Sequence, residues 1–103
     1  MRPAPSYEDL RAQGSALQAR LAELDPAIEA LAALVHDIRR WQRRCAWIVV
    51  QRNPRETSQF RSDAGPFLRP IGVWMPMPGW QSDLKASLER WISAVESVSR
   101  TAP

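Results

Sequence analysis

The stretch DPAIEALAALVHDIRRWQRRCAWIVVQR, residues 25–52, decides the expected fold, because it is the longest segment of the chain with one consistent period. Its apolar residues recur in steps of three and four, which is typical of one face of an amphipathic helix. They are Ile28, Leu31, Val35, Ile38, Cys45 and Val49, and Gln42 interrupts them. We therefore predict a long central helix over residues 26–52.

The same spacing continues toward the amino terminus. Positions 10, 14, 17, 21 and 24 extend the alternation of four- and three-residue steps, and Ser6 and Asp9 have the spacing of a capping box. We predict a frayed terminus over residues 1–5 and a helix over residues 6–24. A repeat this long is typical of a coiled-coil seam. Its proposed members are Leu17, Leu21, Leu24, Ile28, Leu31, Val35 and Ile38.

This seam is longer than the helix predicted at the carboxy terminus, residues 82–100, can cover. We therefore expect two chains to share it as a homodimer, with Gln42 setting the register.

Pro26 interrupts the repeat, because a proline inside a helix removes a backbone hydrogen bond and costs about 3 kcal/mol. Asp25 as N-cap and Pro26 as the first helical residue would begin a new helix. The two helices should meet either at a kink, which is slightly favoured because the phase continues across it, or in a tight antiparallel hairpin at Leu24-Asp25.

The central helix should end by Asn53-Pro54, because the residue before a proline is disfavoured in the helical region. The β-branched run AWIVV, residues 46–50, could instead form a short strand. No turn residue separates this run from the helix before it, so the helix is favoured.

Residues 53–80 lose the period and contain five of the nine prolines and three of the four glycines. We predict an ordered Pro/Trp-rich crossover, with one short strand at residues 71–75 as an option. Ser82 should cap the last helix, residues 82–100, which is amphipathic and is expected to pack back on the central helix. The fold class is therefore mainly α.

The length of 103 residues limits the chain to one small domain. Cys45 is the only cysteine, so a disulfide within the chain is excluded and a reducing compartment is expected. No apolar run approaches the ~18 residues that a spanning helix needs, and no signal peptide is evident. We expect a cytoplasmic protein that does not bind membranes.

Catalysis has little support in the sequence. His36 is the only histidine and lies away from the apolar stripe, which is typical of a surface residue. Cys45 lies within the stripe and is expected to be a buried structural thiol, because reactive thiols need an accessible, electropositive setting. No nucleotide-binding, zinc or hydrolase motif occurs. We expect no enzymatic activity, no cofactor and no metal.

Charge is distributed unevenly along the chain. Residues 38–70 carry eight arginines against Glu56 and Asp63, whereas residues 1–37 carry three arginines against six acidic residues. At 100° per residue, one face of the central helix, opposite the core stripe, receives a compact cationic group. Its members are Arg39, Arg40, Arg43, Arg44 and Trp47.

Three interpretations of this face are open. It could be a solvated surface whose Trp47 is covered by the crossover, a site for a protein with an acidic surface, or a site for nucleic acid. We favour a non-catalytic adaptor or inhibitor that occupies a partner's acidic or nucleic-acid-binding surface. Direct DNA or RNA binding by the same face is the alternative. The candidate partner-binding residues are Arg39, Arg40, Arg43, Arg44, Trp47, Arg52 and Arg55.

The stretch WMPMPGW, residues 74–80, is a second candidate patch. Prolines limit the entropy lost when such a segment docks. Inward packing over the helices is favoured over an exposed binding role, because a small domain needs its tryptophans for a core. The residues of this patch are Trp74, Met75, Met77 and Trp80.

Overall fold

The computed structural model of the protein describes residues 5–24, 28–70 and 78–101. Within these ranges the chain forms helices and turns and no strand. The elements are α1 Tyr7–Ala22, α2 Ile28–Arg52, a 3-10 turn Pro54–Glu56, α3 Thr57–Ala64 and α4 Trp80–Thr101. The predicted mainly α class is confirmed. The option of a strand at residues 71–75 lies outside the described residues.

Local signals set the start of α1 and the end of α2. The Asp9 N–H donates to Ser6 Oγ at 3.1 Å and the Ser6 N–H donates to Asp9 Oδ2 at 3.0 Å, which is the predicted capping box. At the other end, α2 continues through the β-branched run to Arg52, and the Asn53 N–H still donates to the Val49 carbonyl oxygen at 2.7 Å. Pro54 then begins the 3-10 turn.

The helices α1 and α2 form an antiparallel hairpin. Arg20, near the end of α1, contacts Asp37 in α2, whereas Gln13, earlier in α1, contacts Arg44, which is later in α2. The Tyr7 hydroxyl, at the start of α1, donates to Asn53 Oδ1 just beyond α2. The hairpin is therefore the observed geometry and the slightly favoured kink is not. The proposed helix start at Asp25-Pro26 lies outside the described residues.

The crossover contains a helix that the sequence analysis did not anticipate. Helix α3 has only eight residues and begins after the 3-10 turn. It ends at Gly65, whose φ of 82° is accessible to glycine at little cost. Arg90 of α4 satisfies carbonyl groups at this end, since its Nε donates to the Asp63 oxygen at 3.2 Å and its Nη2 to the Ser62 oxygen at 3.4 Å.

Helix α4 begins two residues earlier than predicted. Gly79 precedes it with a φ of 91°, and the Gly79 carbonyl accepts a hydrogen bond from the Asp83 N–H at 3.1 Å. Ser82 therefore lies inside the first turn and is not the cap. The helix packs back on the rest of the domain, but mainly against α1 and α3 and much less against α2, the helix on which it was expected to pack.

The heptad positions are buried within a single chain. Helices α1, α3 and α4 cover the apolar stripe of α2, and Leu24 packs partly buried against the core. The fully buried members of the proposed seam are Leu17, Leu21, Leu31, Val35 and Ile38. The side chain of Ile28 lies outside the described residues. These side chains are unavailable as a contact between chains, so the expected homodimer would need another surface.

Gly14 occupies a heptad position because an aromatic ring lies against it. A Cβ added there would be 2.6 Å from Trp41 Cζ2 and 2.7 Å from Ile92 Cγ1. The Trp41 indole N–H donates to the Leu10 carbonyl oxygen at 2.8 Å. The missing side chain thus lets α1 approach α2 and α4 closely enough for the indole to reach the α1 backbone.

An aromatic cluster joins the crossover to the helices. The Trp91 ring centroid lies 5.5 Å from that of Phe60, 5.1 Å from that of Phe67 and 6.3 Å from that of Trp41. The rings are tilted or edge-to-face, which are the favoured arrangements of aromatic pairs. This cluster anchors α3 and residues 66–68 to α4.

Candidate functional site

One face of α2 stays uncovered because the other three helices pack against the opposite side. We call this surface the outer face; Trp47 and Val50 are exposed on it by 59% and 45% of their surfaces. Trp47 is therefore not covered by residues 53–70 or 78–80, the part of the crossover that the structure describes, contrary to one of the three interpretations. The outer face consists of Arg40, Arg43, Arg44, Trp47 and Val50, all of them exposed.

The structure separates the arginines that the helical period had grouped. Arg39 is half-buried, and its Nε donates to the Leu68 carbonyl oxygen at 3.0 Å. The Arg52 guanidinium carbon lies 5.9 Å from the centroid of the Tyr7 ring, within the range of a cation–π contact. Arg55 is exposed but lies beyond α2, in the 3-10 turn. Arg39 and Arg52 therefore have partners inside the chain.

The charge of the outer face is not neutralised from within. Among the described residues, neither Arg40 nor Arg43 takes part in an ion pair or a hydrogen bond. Arg44 Nη1 donates to Gln13 Oε1 at 3.0 Å, and this amide is neutral. The nearby carboxylate of Asp37 accepts from Arg20 Nη1 at 2.6 Å instead. The outer face thus has an exposed indole preceded on α2 by three arginines, none of which is paired with a carboxylate among the described residues.

A groove runs between α1 and α2 along one edge of the outer face. Its volume is about 290 Å³. Leu17 and Trp41 form its apolar floor, and charged or amide side chains form its rim. The lining residues are Gln13, Ala16, Leu17, Arg20, Asp37, Arg40, Trp41 and Arg44.

Of the α1 residues of this groove, only Leu17 was a candidate from sequence, as a member of the seam. Gln13, Ala16 and Arg20, and Val50 on the outer face, were not. No local signal identifies the groove residues, because their proximity to α2 depends on the direction in which α1 folds back. Val50 was assigned to the apolar run ahead of Asn53, and only packing shows which members of that run are exposed.

The second candidate patch is described only in part. Trp80, the first residue of α4, is half-buried and packs against the core, in keeping with the expected inward packing. Trp74, Met75 and Met77 lie outside the described residues. The crossover presents one further aromatic side chain, Phe67, which is exposed along one edge while it contacts Trp91.

The two side chains that could have suggested catalysis, His36 and Cys45, are not in surroundings typical of reactive groups. His36 is exposed on α2. Cys45 is fully buried, and burial raises the pKa of its thiol to about 12, against a smaller lowering effect of Arg44. No three His, Cys, Asp or Glu side chains of the described ranges are grouped so that they could hold a metal ion. None of the described helices combines the length and apolar character needed to cross a membrane.

Comparison of the chain with protein-family models, curated proteins and solved structures finds no match. Its function is therefore argued from the outer face and the adjoining groove.

Proposed function

We propose that the protein is a non-catalytic interaction module, an adaptor or inhibitor, that binds an acidic surface of a protein partner through the outer face of α2. The observation that supports this most is the exposure of Trp47 on the same face of α2 as Arg40, Arg43 and Arg44, which have no carboxylate partner among the described residues. Trp and Arg are the residue types that contribute most often to interface energy, through desolvated aromatic area and bidentate contacts.

The positive charge of the outer face limits the kinds of protein surface that can bind to it. Surfaces that bind nucleic acid are themselves cationic, so they would repel the arginines of the outer face. The outer face of a second copy of this chain would also repel these arginines. A two-fold interface brings the same patch of each subunit together, so positive charge would face positive charge. Among these protein surfaces, only an acidic one has a charge that complements the outer face.

Direct binding of DNA or RNA is the second candidate. It is favoured by the combination of an exposed indole, Trp47, with Arg40 and Arg43. An indole can stack on an unpaired base while guanidinium groups contact phosphates. This reading uses the same residues, so substitutions alone do not separate the two candidates.

The surroundings of Cys45 and His36 support the non-catalytic part of the proposal. A nucleophilic thiol must be accessible and ionised, whereas the Cys45 thiol is buried with a pKa of about 12. A histidine that acts as a general base is usually oriented by a second group. His36 instead lies in solvent on α2.

Fluorescence anisotropy with labelled polyanions tests the proposal. Poly-glutamate represents an acidic protein surface, and single- and double-stranded DNA and RNA represent nucleic acid. Each is titrated at ~50 and ~200 mM salt, a range in which several phosphate contacts weaken binding about 10³-fold or more. The double variant Arg40→Glu/Arg43→Glu reverses the net charge of the outer face from positive to negative. The matched control, Arg61→Glu/Lys85→Glu, makes the same charge change on α3 and α4.

We expect poly-glutamate to bind, and the outer-face variant to weaken this binding about tenfold or more, because like charges would then face each other. The control variant should bind within about threefold of the unchanged protein. Oligonucleotide binding with a steep salt dependence, lost in the outer-face variant, would favour the second candidate. Absence of binding to every polyanion would contradict both.

A further inference from the structure

The groove between α1 and α2 has the same spacing on both of its walls. Helix α1 contributes residues 13, 16, 17 and 20, and α2 contributes residues 37, 40, 41 and 44. Each set is one continuous stripe of a helix, with steps of three, one and three residues. Because the helices are antiparallel, the first residue of one stripe faces the last residue of the other.

Two contacts between the helices close the ends of the groove. Arg20 Nη1 lies 2.6 Å from Asp37 Oδ2 at one end, and Arg44 Nη1 lies 3.0 Å from Gln13 Oε1 at the other. Between them stands Ala16, whose single methyl group does not reach across to α2. The middle of the groove is therefore open, and its two ends are held at a set separation.

Its size suits a side chain of a protein partner. Small-molecule sites usually have about 300–1,000 Å³, and this groove, at about 290 Å³, lies at the lower limit of that range. Its floor is apolar, since Leu17 and Trp41 keep only 7% and 3% of their surfaces exposed. Trp41 therefore offers no flat ring face on which a nucleic-acid base could stack. An aliphatic side chain inserted between the helices would instead pack on the exposed Ala16 methyl group and on the small exposed edges of Leu17 and Trp41.

The rim of the groove is cationic. Three guanidinium groups, those of Arg20, Arg40 and Arg44, line it together with the single carboxylate of Asp37. The ion pair with Arg20 uses that carboxylate, and Arg44 is bound to a neutral amide. Arg40 and Arg44 lie one helical turn apart, so they can receive two carboxylates on either side of an inserted side chain.

We infer that this groove is the docking site for an acidic segment of a protein partner, with one aliphatic side chain inserted over Ala16 and carboxylates bound by Arg40 and Arg44. This rests on the proposed function and makes it more specific. Arg40 and Arg44 belong to both the groove and the outer face, so one bound segment would contact the two surfaces together. The partner is thereby defined by an apolar anchor as well as by negative charge.

Three labelled peptides of equal length test this assignment. The first has a central leucine with glutamates on both sides. The second replaces the leucine by serine, and the third replaces the glutamates by glutamine. Binding is measured by anisotropy, and the site is identified from the indole N–H resonances of ¹⁵N-labelled protein, because Trp41 lies in the groove and Trp47 lies on the outer face.

Two substitutions on α1 provide a matched pair. Ala16→Glu places a methylene group and a carboxylate in the groove, where they compete with the peptide. Ala19→Glu makes the same change at an exposed site outside the groove lining. Glutamate is a good helix former, so both proteins should fold. Thermal melting checks this, and Ala16→Gln, which adds bulk without charge, is the second variant.

We expect the leucine–glutamate peptide to shift the Trp41 indole resonance and to bind about tenfold or more weakly to the Ala16→Glu protein. Ala19→Glu should change the affinity less than about threefold. The serine and glutamine peptides should each bind about tenfold more weakly than the first. This pattern would establish the groove as the docking site.

Two other results would overturn the inference in different ways. If the peptides bind but Ala16→Glu and Ala19→Glu have equal effects, and only the Trp47 resonance shifts, the groove is not the site and the proposed function stands. If no peptide binds and poly-glutamate also fails to bind, the groove assignment and the proposed function are both contradicted.

Discussion

The side-chain oxygen Oε1 of Gln42 accepts a hydrogen bond from the Leu68 N–H at 2.9 Å, and this contact ties the crossover to α2. Nearly one turn earlier on the same helix, Arg39 Nε donates to the Leu68 carbonyl oxygen at 3.0 Å. Both backbone polar groups of one residue are thus bound by side chains of α2. Gln42 therefore has a role within the chain, whereas the heptad pattern alone had suggested that it sets the register between two chains.

Replacing Gln42 by leucine should destabilise the protein by about 1–3 kcal/mol, because the Leu68 N–H would lose its acceptor in a partly buried position. Urea unfolding followed by circular dichroism measures this change. Gln51→Leu is the control, since Gln51 is exposed on the same helix and should change stability by less than about 0.5 kcal/mol. Equal effects of the two substitutions would show that the tether contributes nothing to stability.

Gly14→Ala should also destabilise the protein, by about 1–3 kcal/mol, although alanine is favoured over glycine in a helix by about 1 kcal/mol. The reason is steric, since the added methyl group would lie 2.6 Å from Trp41 Cζ2. A double-mutant cycle with Trp41→Leu checks this cause. The double variant should lose less stability than the sum of the two single variants, and strict additivity would contradict the contact.

Truncation of Trp91 should lower the stability of the protein much more than truncation of Trp47. Trp91→Ala removes the centre of the aromatic cluster and should cost about 3–5 kcal/mol. Trp47→Ala removes an exposed side chain and should change stability by less than about 0.5 kcal/mol. Thermal melting of the two variants provides the comparison. A large loss of stability in Trp47→Ala would mean that the outer face is part of the core.

The Cys45 thiol makes stability depend on alkaline pH. Its pKa is about 12 in the folded chain because of burial, against an ordinary value of 9.0. The folded state therefore keeps the proton while the unfolded state loses it, so stability falls as pH rises from about 9 toward about 12. The loss should be about 1 kcal/mol between about pH 9 and pH 10.

Urea unfolding of the unchanged protein and of Cys45→Val at several pH values isolates this effect. The stability of the unchanged protein relative to Cys45→Val should be constant below about pH 8. It should fall on the alkaline side, because only the unchanged protein has the thiol. Tyr7 also has a raised pKa through burial, but it is present in both proteins and cancels. A difference that stays constant up to about pH 10 would show that the thiol is accessible.

Features of the helices that depend on neighbouring residues could be predicted from the sequence alone. Ser6 and Asp9 cap α1 through hydrogen bonds between residues three apart, and Asn53-Pro54 ends α2 through the fixed geometry of proline. The period of three and four residues specified which side of α2 is buried and placed Trp47 on the opposite side, whereas its exposure of 59% is seen only in the structure. These features depend on near neighbours in the chain, so a linear pattern contains them.

The relative direction and packing of these helices could not be predicted from the sequence and are seen only in the structure. A heptad repeat has the same phase in a bent arm and in a hairpin, so it could not show that α1 folds back and buries the seam within one chain. Helix α3 is too short for a clear period, and it ends where Arg90, from a distant part of the chain, satisfies its carbonyl groups. The groove likewise exists only because α1 folds back antiparallel to α2 and brings residues 13–20 beside residues 37–44. Such contacts depend on residues far apart in sequence, and packing of the whole core selects them.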